Sequence, residues 1–160
     1  AYIEGSTFRV PGFETYVNEK TGLMSTPGQG IILNSMWGKN GVATFISFGS
    51  SLQVLPFKTL ASKCSFGTQN FLVCAIPKTD VYTTEGLPDD WFQGRVRFSD
   101  DLFIVNTSSG DAIPLYMFKE DEGVFDVVKI VIHDDKRLFS FTKRQDGTLW
   151  FLDTNKIVVE

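Results

Sequence analysis

The run IILNSMWGKNGVATFISFGSS, residues 31–51, confines what this chain can fold into more tightly than any other stretch. Two segments rich in Ile, Val, Phe and Thr flank Gly38–Gly41, and Asn40-Gly41 supplies the positive φ that a tight hairpin needs. An antiparallel strand pair is expected there. The same pattern resumes after Val124: VFDVVKIVIH, a turn at 134–136, RLFSFTKR, a turn at Asp146-Gly147, TLWFLD, a turn at Thr154-Asn155, and then KIVVE. Short apolar segments divided by turn residues predict an antiparallel meander.

One segment breaks the period of two. In LPFKTLASKCSFG, residues Phe57, Leu60, Ala61 and Cys64 fall at i, i+3, i+4 and i+7, with Pro56 suited to a first helical position and Gly67 beyond the end. This spacing predicts a short helix over 56–64, which needs a sheet to pack against because so few residues do not hold a helix in water. The expected fold is mainly β (α+β), a twisted antiparallel sheet curving around that helix. A β-sandwich without the helix is the alternative. At 160 residues the chain can bury about two thirds of its unfolded surface around one core, so a single domain over 1–160 is expected, as a segment of a longer chain.

Composition removes several functions. A formal charge of -4 lacks the basic excess that phosphate neutralisation requires, which argues against nucleic acid and anionic membranes. The apolar run FLVCAI at 71–76 falls far short of the roughly 20 residues that cross a bilayer. Two cysteines, Cys64 and Cys74, without a C-x-x-C and with one histidine in the chain, leave structural zinc without ligands. They read as buried free thiols, with a disulfide left open. No metal and no cofactor is expected.

Acid pairs stand at Asp89/Asp90, Asp100/Asp101 and Asp134/Asp135. Neighbours on an extended strand point to opposite faces, so an adjacent pair does not flank one glycosidic bond. All three pairs are read as turn residues, whose carboxylates cap backbone amides. His133 is the only imidazole base, at the end of a strand whose alternation sets Lys129 and His133 opposite Val128, Ile130 and Ile132. No G-x-S-x-G elbow marks a nucleophile, and no phosphate-binding glycine motif is present. Gly28 and Gly30 read as a turn. Asn106-Thr107-Ser108 matches a glycosylation acceptor and decides nothing by itself.

The stretch GLPDDWFQGRVRF, residues 86–98, has two readings. In one, Asp89 or Asp90 starts a helical turn that buries Trp91 or Phe92 beneath it. In the other, Trp91 presents its flat face to a sugar while Arg95 and Arg97, on the solvent side of the strand RVRF, supply donors. Candidate ligand-binding residues are therefore Trp91, Arg95, Arg97, Asp89, Asp90 and Trp37, the last beside the hairpin turn. Trp150, at the parity of Leu152, reads as core.

Aromatic strands separated by Ser, Thr, Asn and Gly turns, as in MSTPGQGIILNSMWGKNGVATFISFGSS and RFSDDLFIVNTSSGDAIPLYMF, resemble the protruding and spike-head domains of non-enveloped viruses. Within that group the chain looks most like the outer spike-head domain of a group B rotavirus, whose relatives in other groups are galectin-like sandwiches, so the resemblance implies a galectin-like β-sandwich as the alternative fold. The resemblance implies a non-enzymatic attachment domain on the outer capsid spike. Its partners would be cell-surface glycans, containing galactose or N-acetyllactosamine, and the remainder of its own spike protein. Two alternatives follow: a capsid protrusion with hydrolase activity, using His133 with Asp134 or Asp135, and an assembly module in which Trp37 and Trp91 meet a neighbouring subunit.

Overall fold

A computed structural model describes residues 20–24, 31–38, 41–67, 70–79, 87, 89–133 and 137–156. The expected turns at Gly28/Gly30 and 134–136 and the segment 157–160 lie outside these, as do the side chain of Trp37 and residues Lys39 and Asn40.

The fold is mainly β, and the described residues form three antiparallel sheets. The first is a meander of β1 (Lys20–Met24), β2 (Ile31–Gly38), β3 (Gly41–Phe48) and β4 (Ser51–Val54). The expected hairpin is present, with Gly38 paired to Gly41. The second joins β5 (Cys64–Phe66), β6 (Phe71–Pro77), β7 (Asp100–Asn106) and β8 (Ala112–Tyr116) in that order. The third holds β9 (Val127–Ile132), β10 (Leu138–Lys143) and β11 (Leu149–Asp153), the expected meander, with β10 central.

The middle sheet explains the apolar run FLVCAI. Leu72 and Cys74 face a core shared with Leu33 and Ile46 of the first sheet, while Val73 and Ala75 face one shared with Val127, Ile130, Phe139 and Phe141 of the third. A strand covered on both faces has no polar side, so alternation gives way to a continuous run. The single sheet expected from the sequence is therefore corrected to three.

The helix expected over 56–64 is also corrected. Only a 3-10 turn, Ala61–Lys63, forms there, and the α-helix among the described residues is one turn, α1 (Asp89–Phe92). The polar groups of the crossing segment are satisfied by strands instead of by its own carbonyls. Thr59 N–H donates to Thr44 Oγ1 at 2.9 Å, Thr44 and Ser35 hydroxyls donate to the Thr59 carbonyl at 2.8 and 2.9 Å, and Ala61 N–H donates to Ser35 Oγ at 2.7 Å. Thr59 Oγ1 completes the bridge by donating to the Ala75 carbonyl on β6 at 2.6 Å. The apolar spacing was real burial with the wrong backbone, because sheet partners compete successfully for these groups.

Cys64 and Cys74 oppose each other across β5 and β6 with Cα atoms 4.1 Å apart, and they form a disulfide. This corrects the free-thiol expectation. On β9, Lys129 takes a φ of 52° where the register with β10 shifts, a β-bulge that resets the alternation. Val127 thereby joins Ile130 in the core, whereas Val128 packs against a separate cluster of Val42, Leu60, Trp91 and Phe98.

Candidate functional site

Trp91 sits on α1 and is 3% exposed. Its ring stacks on Phe98 at 5.8 Å and meets Phe92 edge-on at 5.0 Å. Lys63 Nζ lies 5.1 Å from the ring centre and the Arg144 guanidinium 4.4 Å from it. The indole N–H donates to Asp126 Oδ2 at 2.9 Å. Trp91 is therefore an anchor beneath a helical turn, and no face of it is left for a sugar to stack on.

Its sequence neighbours disperse accordingly. Asp89 is exposed in the first turn of α1. Asp90 accepts from Arg95 Nη1 at 2.9 Å, an ion pair with the arginine 67% exposed, while its carbonyl accepts from the Arg95 and Val96 amides. RVRF is not a strand, although Arg95 and Arg97 are exposed and Phe98 is fully buried. Arg97 borders a small polar cleft of about 300 Å³ with Gly94, Asp126, Arg144 and Gln145. Arg144, which reading the sequence did not single out, also donates to the Phe92 carbonyl at 3.2 Å. Trp37 lies on β2.

The other sequence candidates are also placed. Asp100 and Asp101 are not turn residues: both are buried at the start of β7. They point opposite ways, as strand geometry requires: Asp100 to Lys63, and Asp101 to the Phe118 amide at 2.8 Å and Lys78 at 3.3 Å. Trp150 is not core. It is 43% exposed and meets Phe125 edge-on. His133 Nε2 lies 3.2 Å from the buried Ser140 hydroxyl, and no carboxylate orients the ring among the described residues.

A more open site lies at the far end of the first sheet. Ile31, Phe48 and Ser51 pair in one row across β2, β3 and β4, and Leu33, Ile46 and Gln53 form the next row on the same face. Leu33 and Ile46 are covered by the middle sheet, whereas Phe48, at the last pair before the Gly49-Ser50 turn, overhangs it and is 61% exposed. The overhang makes an open cleft of about 530 Å³, walled on its other side by Asn70, Thr107 and Ser108.

Local backbone chemistry shapes that wall. Asn70 adopts a φ of 59°, and its carbonyl accepts from the Thr107 amide and hydroxyl at 3.0 and 2.9 Å. Asn106 Oδ1 accepts from the Ser108 and Ser109 amides, closing the β7–β8 turn. Gln53 Nε2 donates to the Ser109 carbonyl at 2.7 Å, which orients its carboxamide at the cleft. Gly110 makes room for this: its φ is 79°, and a Cβ there would lie 2.7 Å from Gln53 Nε2. The described lining combines an exposed aromatic face and the aliphatic side chains of Ile31, Ile46 and Leu52 with hydroxyl and amide groups and no ionisable side chain. That chemistry suits a neutral, hydroxyl-rich ligand with one apolar face.

No protein-family model, no curated protein and no solved structure matches this chain, so the cleft is read from its own chemistry.

Proposed function

We propose that this chain is a viral attachment domain that binds neutral cell-surface glycans containing galactose or N-acetyllactosamine, and that the Phe48 cleft is its site. The observation carrying this reading is the 61% exposed Phe48 ring over a cleft lined by Ser51, Gln53, Asn70 and Ser108. A pyranose offers an apolar face to stack and a rim of hydroxyls to hydrogen-bond, matching that division. A shallow site of this kind binds weakly, around millimolar, and becomes useful through repetition over a particle surface, as the spike-head resemblance implies. In this reading the domain makes and breaks no bond in its ligand, and the rest of its spike protein holds it on the virion.

The test is an array of immobilised glycans probed with the chain displayed multivalently. Binding to galactose-terminated glycans that is lost in Phe48→Ser is expected. Silence across the array, or binding unchanged by Phe48→Ser, would sink the proposal. Binding restricted to acidic glycans and lost in Arg97→Ala would move the site to the Arg97–Arg144 cleft.

The contact between His133 and Ser140 favours a hydrolase as the second reading, since a base beside a hydroxyl is the start of a nucleophilic pair. Turnover of ester substrates that disappears in both His133→Ala and Ser140→Ala would establish it. Turnover that survives either change would remove it.

A further inference from the structure

Lys63, Asp100 and Asp126 meet in the interior, all at 0% exposure. Lys63 Nζ lies 2.6 Å from Asp126 Oδ1 and 2.7 Å from Asp100 Oδ2. Phe98 and Trp91 flank the amine, each ring centre 5.1 Å away. From this juxtaposition we infer that Lys63 and Asp126 form an intramolecular amide bond, with Asp100 carrying the proton. The inference is independent of the glycan reading.

The two carboxylates have different surroundings. Asp126 Oδ2 accepts from the Trp91 indole N–H at 2.9 Å and the Phe98 amide at 3.3 Å, so donors already stand where a tetrahedral intermediate gathers negative charge. Asp100 accepts from the Val127 amide at 2.7 Å, but its buried Oδ1 has no hydrogen-bond partner. Burial pushes the Asp100 carboxyl up to about 6 against the lowering pull of Lys63, which suits it to take and return a proton near neutrality.

The step balances without a co-reactant. Lys63 passes one ammonium proton to Asp100, and the neutral nitrogen adds to Cγ of Asp126. Oδ1 departs as water, with one proton returned by Asp100 and one taken from the nitrogen, which keeps its third. Oδ2 becomes the amide oxygen, still held by Trp91 and Phe98. Ammonium and carboxylate become amide and water, with nothing oxidised or reduced. Fixed contact between buried side chains supplies the proximity that such a condensation lacks in water. The bond would join positions 63 residues apart and tie the start of β5 to the start of β9.

Intact-mass measurement of the purified, disulfide-reduced chain tests the inference. A mass one water below that of the sequence is expected, with a branched proteolytic peptide joining Lys63 to Asp126. Asp100→Asn, which keeps the side chain's shape, should return the full mass while retaining the native circular dichroism spectrum. The full sequence mass after prolonged incubation of the folded wild-type chain would overturn the bond and leave an ion triad. A branch at Asp100, or water loss persisting in Asp100→Asn, would overturn the assigned roles.

Discussion

Trp91 and Phe48 are both aromatic side chains beside turns, yet one is enclosed and the other open. Trp91 lies under α1 because its N–H has a buried carboxylate to satisfy it and its ring fills the space between Phe98, Lys63 and Arg144. Phe48 has no such partner: the sheet that carries it runs past the edge of the layer covering Ile46. Exposure is therefore decided by how far neighbouring layers extend, a property that no local pattern encodes. The aromatic flanked by charges is the structural anchor here, and the aromatic of the uncharged turn FGSS stands open at the cleft.

The contrast predicts an ordered series of effects. Trp91→Ala should destabilise the chain most, by about 3–5 kcal/mol, because it leaves a cavity and removes a donor from buried Asp126. Chemical denaturation would measure this; a loss below about 1 kcal/mol would break the anchor assignment.

Asp100 should give the buried region a pH dependence that the cleft lacks. While Lys63 and Asp126 are still an unjoined ion pair, the Asp100 carboxyl holds a proton more tightly folded, at about 6, than unfolded, near the usual 3.8. Its stabilising contribution is complete below 3.8 and is lost as pH rises past about 6, a change of up to roughly 3 kcal/mol. The thermal midpoint should rise between pH 7 and pH 5, and Asp100→Asn should flatten that rise. Glycan affinity should stay level over the same window, since no ionisable side chain stands among the described residues of the cleft.

Arg95→Ala should cost well under 1 kcal/mol, because its pair with Asp90 is exposed and screened. A larger loss would mean that RVRF contributes more to the fold than its burial indicates. Phe48→Ser should change stability least, within about 0.5 kcal/mol, while removing binding. Equal losses of stability and binding would erase the distinction between the two aromatics.

Much of the fold was legible in the sequence. The strand pairing at 31–48 and from 127 to 153 reads directly, because β-rich segments and turn residues such as Asp146-Gly147, with Gly147 at a φ of 72°, have local preferences. The segment 56–64 misled because apolar spacing records which residues are buried and not which groups take the backbone hydrogen bonds; Ser35 and Thr44 do so from 15 to 26 residues away. FLVCAI held an unread signal, since an apolar run of strand length bounded by turns marks a strand covered on both faces. The buried triad was the hardest to see. Lys63, Asp100 and Asp126 look like ordinary surface charges, and only the stacking of sheets brings them together. Asp126 left the one hint, a lone acid between Phe125 and Val127 at the head of an apolar strand.

Backbone amide shifts followed by NMR during titration with N-acetyllactosamine test the central claim most directly, because they detect millimolar binding and locate it. Saturable changes centred on Phe48, Gln53, Asn70 and Ser108 are expected, with Trp91 unmoved. Changes centred on Arg97 and Arg144, or none at saturating sugar, would contradict it.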